Sequence, residues 1–260
     1  LDNAATTKPC DEAKAAVMKG LEVFGNPSSL HRAGLDAELL VSDAREIIAD
    51  ALGVTPDEVY FTSGATESNN TAIFGAYKAH GKRKKRVVIS SVEHPAVKNP
   101  AQELEDMGCE VIRISPDENG EINARDIFAA VNEDTFLVSC MLVNNENGYI
   151  LPVEKAFSMI KKKYPLVITH CDCVQGFMKI PVKAKKLNAD MISLSGHKIY
   201  APKGIGALYV KKGVHIPPFM LGGGQEKGFR SGTESVPLIC GFGAAVKKLA
   251  PNVSANFEKV

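Results

Sequence analysis

EVYFTSGATESNNTAIFGAYKAH, residues 58–80, changes its hydrophobic period part-way along. EVYFTS (58–63) reads as a strand, rich in β-branched and aromatic residues. Residues 64–80 read as a helix, with Thr66 and Glu67 near its start. The same switch recurs along the chain. Further helices are predicted at 11–23, 31–52, 95–107, 122–131, 153–163 and near 235–249. Further strands are predicted at 86–91, 109–114, 135–143, 166–172, 190–196 and 206–210. Strands alternating with helices imply a three-layer α/β/α arrangement, with a mostly parallel sheet covered on both faces. No repeat, low-complexity segment or linker splits the sequence, so residues 1–260 read as one main domain.

Composition narrows the function classes. The 260 residues are 45% hydrophobic and 23% charged, as in ordinary globular proteins. Thirty-one basic and 30 acidic residues leave a net charge of +1, so no global field points to nucleic acid or a membrane surface. The basic run from Lys82 to Arg86 reads as a solvated loop between a helix and a strand. No apolar stretch reaches the ~18 residues of a membrane span. The six cysteines, at 10, 109, 140, 171, 173 and 240, are scattered, which suits free thiols in a reducing cytosol better than a disulfide framework. Cys171 and Cys173 would both point away from Asp172 if they lie on a strand, and no metal-ligand cluster accompanies them.

In open α/β sheets ligands bind beyond the carboxyl ends of the strands, and the unusual polar residues fall there. In SGATES (63–68), Gly64 allows close backbone approach, and the amides of Ala65 and Thr66 would face an anion at the helix N-terminus; an ordinary N-cap fits the same letters. His94 in VEHPAV (92–97) either stacks on a flat ring or is structural. Asn144 and Asn145 in VNNENG (143–148) either bond a ligand hydroxyl or form a turn. Asp172 in HCDCVQG (170–176) ends an apolar run and needs a partner if buried; a protonated pyridine nitrogen or a helix N-terminus would serve, and Gln175 could reach the same ring edge. Ser195, His197 and Lys198 lie in the turn of SLSGHKIYAPKGIGALYV (193–210), where partial burial would make Lys198 a usable amine nucleophile; a solvated turn lysine is the alternative. GGGQEKGFRSGTES (222–235) reads as an exposed glycine-rich loop whose Arg230, Ser231 and Thr233 could serve a phosphate.

Taken in order, LDNAATT (1–7), FGNPSS (24–29), TSGATESNN (62–70), EHPAV (93–97), VNNENG, HCDCVQ, SGHKIYAPKGIG and GGGQEKGFRSGTE resemble the NifS/IscS cysteine desulfurase branch of the fold-type I pyridoxal-phosphate enzymes, class V aminotransferases. The resemblance runs over essentially the whole chain and implies the large domain of such a transferase, with pyridoxal 5'-phosphate as cofactor. It implies that Lys198 carries the cofactor as a Schiff base and that Asp172 pairs with the pyridinium nitrogen. Gln175 and Asn145 would bond the ring oxygen and its neighbours, and His94 would stack on the ring and take part in catalysis. Ala65, Thr66, Ser195 and His197 would hold the phosphate, with Thr233 reaching in from the other subunit of a homodimer. Asn26 would lie near the substrate carboxylate. The implied reaction converts L-cysteine to L-alanine and passes sulfur, as an enzyme persulfide, to an acceptor such as an iron–sulfur scaffold protein. An aminotransferase, a selenocysteine lyase or a non-catalytic protein of the same fold are the alternatives.

Four departures stand out. Asn147, Cys171 and Cys173 replace residues of other types, on the scale of packing changes. The resembled enzymes continue past Val260 with a small domain, a carboxylate-binding arginine and a mobile loop bearing the nucleophilic cysteine. Residues 1–260 alone are therefore expected to be incomplete, to bind the cofactor poorly and to lack desulfurase activity.

Overall fold

A computed structural model of the chain describes residues 2–259. Seven strands form one sheet in the order β1-β7-β6-β5-β4-β2-β3: β1 Val59–Thr62, β2 Arg86–Ser90, β3 Glu110–Ile114, β4 Thr135–Ser139, β5 Ile168–Asp172, β6 Met191–Ser195 and β7 Gly206–Val210. Only β7 runs against its neighbours, β1 and β6; the pairings among β2 to β6 are parallel. The central strands β4 to β7 are buried along their whole length, as a sheet covered on both faces requires.

Nine helices are described: α1 Asp11–Glu22, α2 Arg32–Leu52, α3 Ala65–His80, α4 Pro95–Asp106, α5 Ala124–Ala129, α6 Val153–Lys163, α7 Ala184–Leu187, α8 Val236–Leu249 and α9 Val253–Phe257. All but α9 divide between two apolar cores, one on each face of the sheet. The larger joins α1, α2, α5, α6 and α8 to residues such as Val138, Cys171, Ile192 and Tyr209. The smaller lies under α3 and α4 and takes Val87, Ile89, Ile168, Met191 and Leu208. Alternation along each strand sends neighbouring residues to opposite cores. The predicted three-layer fold and mostly parallel sheet are what forms.

Differences from the predicted elements have local causes. The apolar run 135–143 stops being a strand at Ser139, although Cys140, Met141 and Leu142 stay buried. The Met141 amide donates to the buried Glu93 carboxyl at 2.7 Å instead of to a neighbouring strand. The amides of Cys140 and Leu142 still bond the carbonyls of His170 and Asp172, so the segment follows β5 outward as irregular backbone. The short helices α7 and α9 were not predicted; Leu187 and Val253 each bury an apolar side chain in otherwise polar stretches.

The glycine-rich loop is less open than its composition suggests. Glu226 is buried and takes two hydrogen bonds from the Arg45 guanidinium, both at 2.7 Å, and one from the Phe61 amide at 2.9 Å. This anchor holds Glu226 and Lys227 in the left-handed region, at φ 49° and 58°.

Candidate functional site

The carboxyl ends of the parallel strands, with the N-termini of α3 and α4, enclose a cavity of about 880 Å³. Nine of the predicted site residues line it: Ala65, Thr66, His94, Asn145, Asp172, Gln175, Ser195, His197 and Lys198. They come from five separate stretches of sequence, and the strand ends bring them together.

Asp172 is the last residue of β5 and is buried on the α3 side. Its Oδ1 accepts from the Val174 amide at 2.9 Å, and its Oδ2 from Asn69 Nδ2 at 2.8 Å. Burial raises the carboxyl above its ordinary value, while these two donors and the nearby His94 and Lys198 act the other way. Asn69 carried no predicted role. The signal was its place on α3, in line with Ala72, Ile73 and Ala76 on the face that packs on the sheet. Its Oδ1 is buried without a hydrogen-bond partner among the described residues.

Helix α3 starts without a side-chain cap. Gly64, at φ 153°, lets β7 press close: a Cβ on Gly206 would stand 2.7 Å from the Gly64 Cα. The first amides of a helix have no intrahelical acceptor, and here Ala65 and Thr66 present theirs at the cavity wall. The Ser195 hydroxyl, at the end of β6, lines the same cavity. Together these donors make a cradle for an anion.

His94 takes the structural role that the sequence allowed. It caps α4, its Nδ1 accepting from the Ala96 amide at 3.1 Å, and it also lines the cavity. With Nδ1 as acceptor, the neutral ring carries its proton on Nε2. The two asparagines divide the work. Asn144 is buried and closes the turn, its Oδ1 accepting from the amides of Glu146 and Asn147, while Asn145 faces the cavity.

Lys198 sits on a 3-10 turn, Gly196–Lys198, directly after β6. Its Nζ donates to the carbonyls of Ala4 and Ala5 at 2.5 and 2.7 Å. Burial lowers its amine below the usual lysine value, against the pull of Asp2 and Asp172. His197, next to it, shares a hydrogen bond with Thr6 Oγ1 at 3.1 Å, and burial and the Lys198 charge lower its imidazole. The N-terminal segment, with Asp2, Ala4, Ala5 and Thr6, thus forms one wall of the cavity. Leu1 of LDNAATT and Val260 lie outside the described residues.

Asn26 and Thr233 are not brought into this cavity. Asn26 is exposed and its Oδ1 accepts from the Ser28 amide at 2.9 Å. Thr233 is exposed on the glycine-rich loop. Arg230 does not face a phosphate either: its guanidinium is held by Glu67 at 2.7 and 3.0 Å. None of the six cysteines lines the cavity, and all are free. Cys171 and Cys173 point into the larger core, away from Asp172. Among the described residues there is no cluster fit for a metal ion.

An anion cradle, a buried carboxylate and a lysine amine in one cavity suit a phosphorylated, electron-poor ring bearing a carbonyl. The profile of the aminotransferase class-V family matches residues 1–259. The chain belongs to this family. Among curated class V relatives, the cysteine desulfurase IscS of Dictyoglomus turgidum is 42% identical over all of this chain and 66% of its own length. The NifS/IcsS protein homolog of Lactobacillus delbrueckii subsp. bulgaricus is 46% identical over 95% of this chain and 65% of its own. Among solved structures, a NifS-like protein superposes with a TM-score of 0.94 at 41% identity, over 97% of this chain and 69% of that one. The structure of SspA in complex with cysteine superposes at 0.92 with 39% identity, over 95% and 72%. This chain therefore spans just under two thirds of the length of the curated class V relatives it matches.

Proposed function

We propose that this chain is the cofactor-holding part of a pyridoxal 5'-phosphate-dependent cysteine desulfurase. The carrying observation is that the Asp172 carboxylate and the Lys198 amine share one cavity with an uncapped helix N-terminus. The names of the relatives, and the cysteine complexed with SspA, support the substrate.

The residues fit the cofactor. The Ala65 and Thr66 amides, with Ser195 and His197, would take its phosphate. Asp172, already desolvated, would gain a cationic partner in the ring nitrogen. Asn69 fixes that carboxylate in place. Asn145 and Gln175 would meet the ring's oxygen edge, and His94 its face. Bound there, the ring supplies an electron sink for the substrate's α-carbon.

Lys198 would hold the cofactor through its aldehyde, and its amine is the group that would move the substrate's α-carbon proton. Burial lowers the basicity of this amine, which favours the unprotonated form both tasks use. In the net reaction, the substrate C–S bond breaks and an S–S bond forms with an enzyme thiol, so L-cysteine and a thiol give L-alanine and a persulfide. The terminal sulfur then passes to an acceptor thiol, for which an iron–sulfur scaffold protein is the proposed class.

The proposed working unit is a homodimer in which Thr233 of the partner subunit completes the phosphate site; this residue's exposure away from its own cavity supports that reading. Six free cysteines support a reducing compartment, and the cytosol is proposed. No helix among the described residues is long and apolar enough to cross a membrane.

The test is product analysis on the full-length gene product that carries residues 1–260. Cysteine with a reductant should give alanine and sulfide in equal amounts. A 2-oxo acid formed in place of alanine would overturn the reading in favour of amino transfer.

A further inference from the structure

Gln175 carries an amide whose two ends differ in function, and two neighbours, the Lys179 amine and the Ala4 carbonyl, decide which end faces the cavity. Gln175 is buried, one turn after the end of β5. Its Oε1 accepts from Lys179 Nζ at 2.5 Å, and its Nε2 donates to the Ala4 carbonyl at 2.8 Å. An ammonium offers hydrogens and no lone pair. The oxygen end of the amide must therefore face Lys179, and the nitrogen end must face the cavity. One N–H goes to Ala4 and the second is left for a ligand.

The backbone is shaped to place Lys179 there. The Cys173 carbonyl accepts from the amides of Gly176 and Phe177, at 3.0 and 2.7 Å, and Phe177 is fully buried. The Gly176 carbonyl accepts from the amides of Lys179 and Ile180, at 3.1 and 3.0 Å. Between them Met178 adopts φ 61°, a left-handed conformation costly for a side-chain-bearing residue. Gly176 is tight as well, since a Cβ there would stand 2.9 Å from the Leu142 side chain. Among the described residues, Gln175 Oε1 is the one side-chain acceptor of the Lys179 ammonium, and no carboxylate forms an ion pair with it. Lys179 is half-buried, and its amine is set against the Gln175 amide instead of a carboxylate.

We infer that Lys179 is a positioning residue, which locks the Gln175 amide with its N–H toward the oxygen edge of the bound ring and so makes Gln175 a donor and not an acceptor there. The inference rests on the cofactor reading above.

The experiment uses the full-length gene product loaded with pyridoxal 5'-phosphate, and reads its visible band against pH and the cofactor's dissociation constant. The charged and titratable groups around the amide and Lys198 are Lys179, Asp2, Asp172, His94 and His197, and only Lys179 is changed. In Lys179→Met the amide keeps only the Ala4 carbonyl to orient it, and the donor it offers a ring oxygen is held less firmly. The pH midpoint of the band should rise by about half to one unit, and cofactor binding should weaken by about three- to tenfold. Lys179→Arg should restore most of both. In a Gln175→Ala background Lys179→Met should change neither, because the residue acts through that amide. Lys179→Gln, too short to reach Oε1, is the replacement should the methionine variant fold poorly, and its expected shifts are the same. Unchanged spectra and affinity in folded Lys179→Met or Lys179→Gln would overturn the inference, as would equal shifts with and without Gln175. An unsubstituted protein with no visible band would overturn the cofactor reading itself, and the inference with it.

Discussion

His170 and Asp172 stand two residues apart on β5, on the same face of the sheet, and both are buried. His170 is enclosed by its neighbours. Its Nδ1 meets Ser139 Oγ on β4 at 2.8 Å and its Nε2 meets Ser193 Oγ on β6 at 2.9 Å. Burial pushes its imidazole down to about 3, so it is neutral at any working pH. Asp172 stands at the strand end, keeps one face open to the cavity, and has its carboxyl raised by burial. The polar row Ser139–His170–Ser193 is closed, with both ring nitrogens satisfied by protein. One pleat further on the same device is left open, and that opening is the site.

The largest expected effect separates the two. Asp172→Asn keeps the shape but removes the charge facing the ring and sets an NH2 where one oxygen accepted from Val174 or Asn69, so turnover should fall by at least about a hundredfold with the fold intact. Sulfide release against thermal stability is the measurement, and a variant that kept near-full turnover would remove Asp172 from the chemistry. His170→Ala should do the reverse. It strands two serine hydroxyls and leaves a cavity, costing about 2–4 kcal/mol in denaturant unfolding. The bound cofactor's absorption maximum should not move, since His170 does not line the cavity.

Glu93 sharpens the comparison as a third buried ionisable group. Its Oε1 accepts from the Ser90 hydroxyl at 2.5 Å and the Met141 amide at 2.7 Å, and its Oε2 has no partner among the described residues. Burial raises its carboxyl from 4.5 to about 8. Between these values the unfolded chain releases a proton that the folded protein keeps. Stability from this group is thus full below pH 4.5 and is lost as pH rises to about 8. Glu93→Gln should flatten that slope, and so gain on the wild type by a few kcal/mol, on the order expected for such a shift, in unfolding measured from pH 5 to 8. Identical slopes would mean that Glu93 ionises freely in the fold. The smallest effect belongs to the other core. Cys171→Val should change stability by under about 1.5 kcal/mol and leave cofactor binding unaltered, as equilibrium titration would show.

The sequence made the layers and most of the cavity legible, because both depend on period and position. Strand-to-helix switches fixed where Thr66, Asp172 and Lys198 would fall, and strand ends are where parallel sheets bind ligands. What it hid depends on contacts between distant segments. Asn69 reaches Asp172 across 103 positions, and Lys198 reaches Ala4 across 194. The early end of β4 follows from Glu93, a residue 48 positions away, taking the Met141 amide. Arg230 looked free because its carboxylate, Glu67, lies 163 positions earlier. The loop around Glu226 looked open because Arg45 lies 181 positions away.

The central claim is that Lys198 carries the cofactor opposite Asp172. The direct measurement is borohydride reduction of the cofactor-loaded, full-length gene product, followed by peptide mass mapping. The account expects one fixed cofactor per chain, on Lys198, and none in Lys198→Ala. A cofactor fixed to Lys179 or Lys203 instead, or still fixed by reduction in Lys198→Ala, would contradict it.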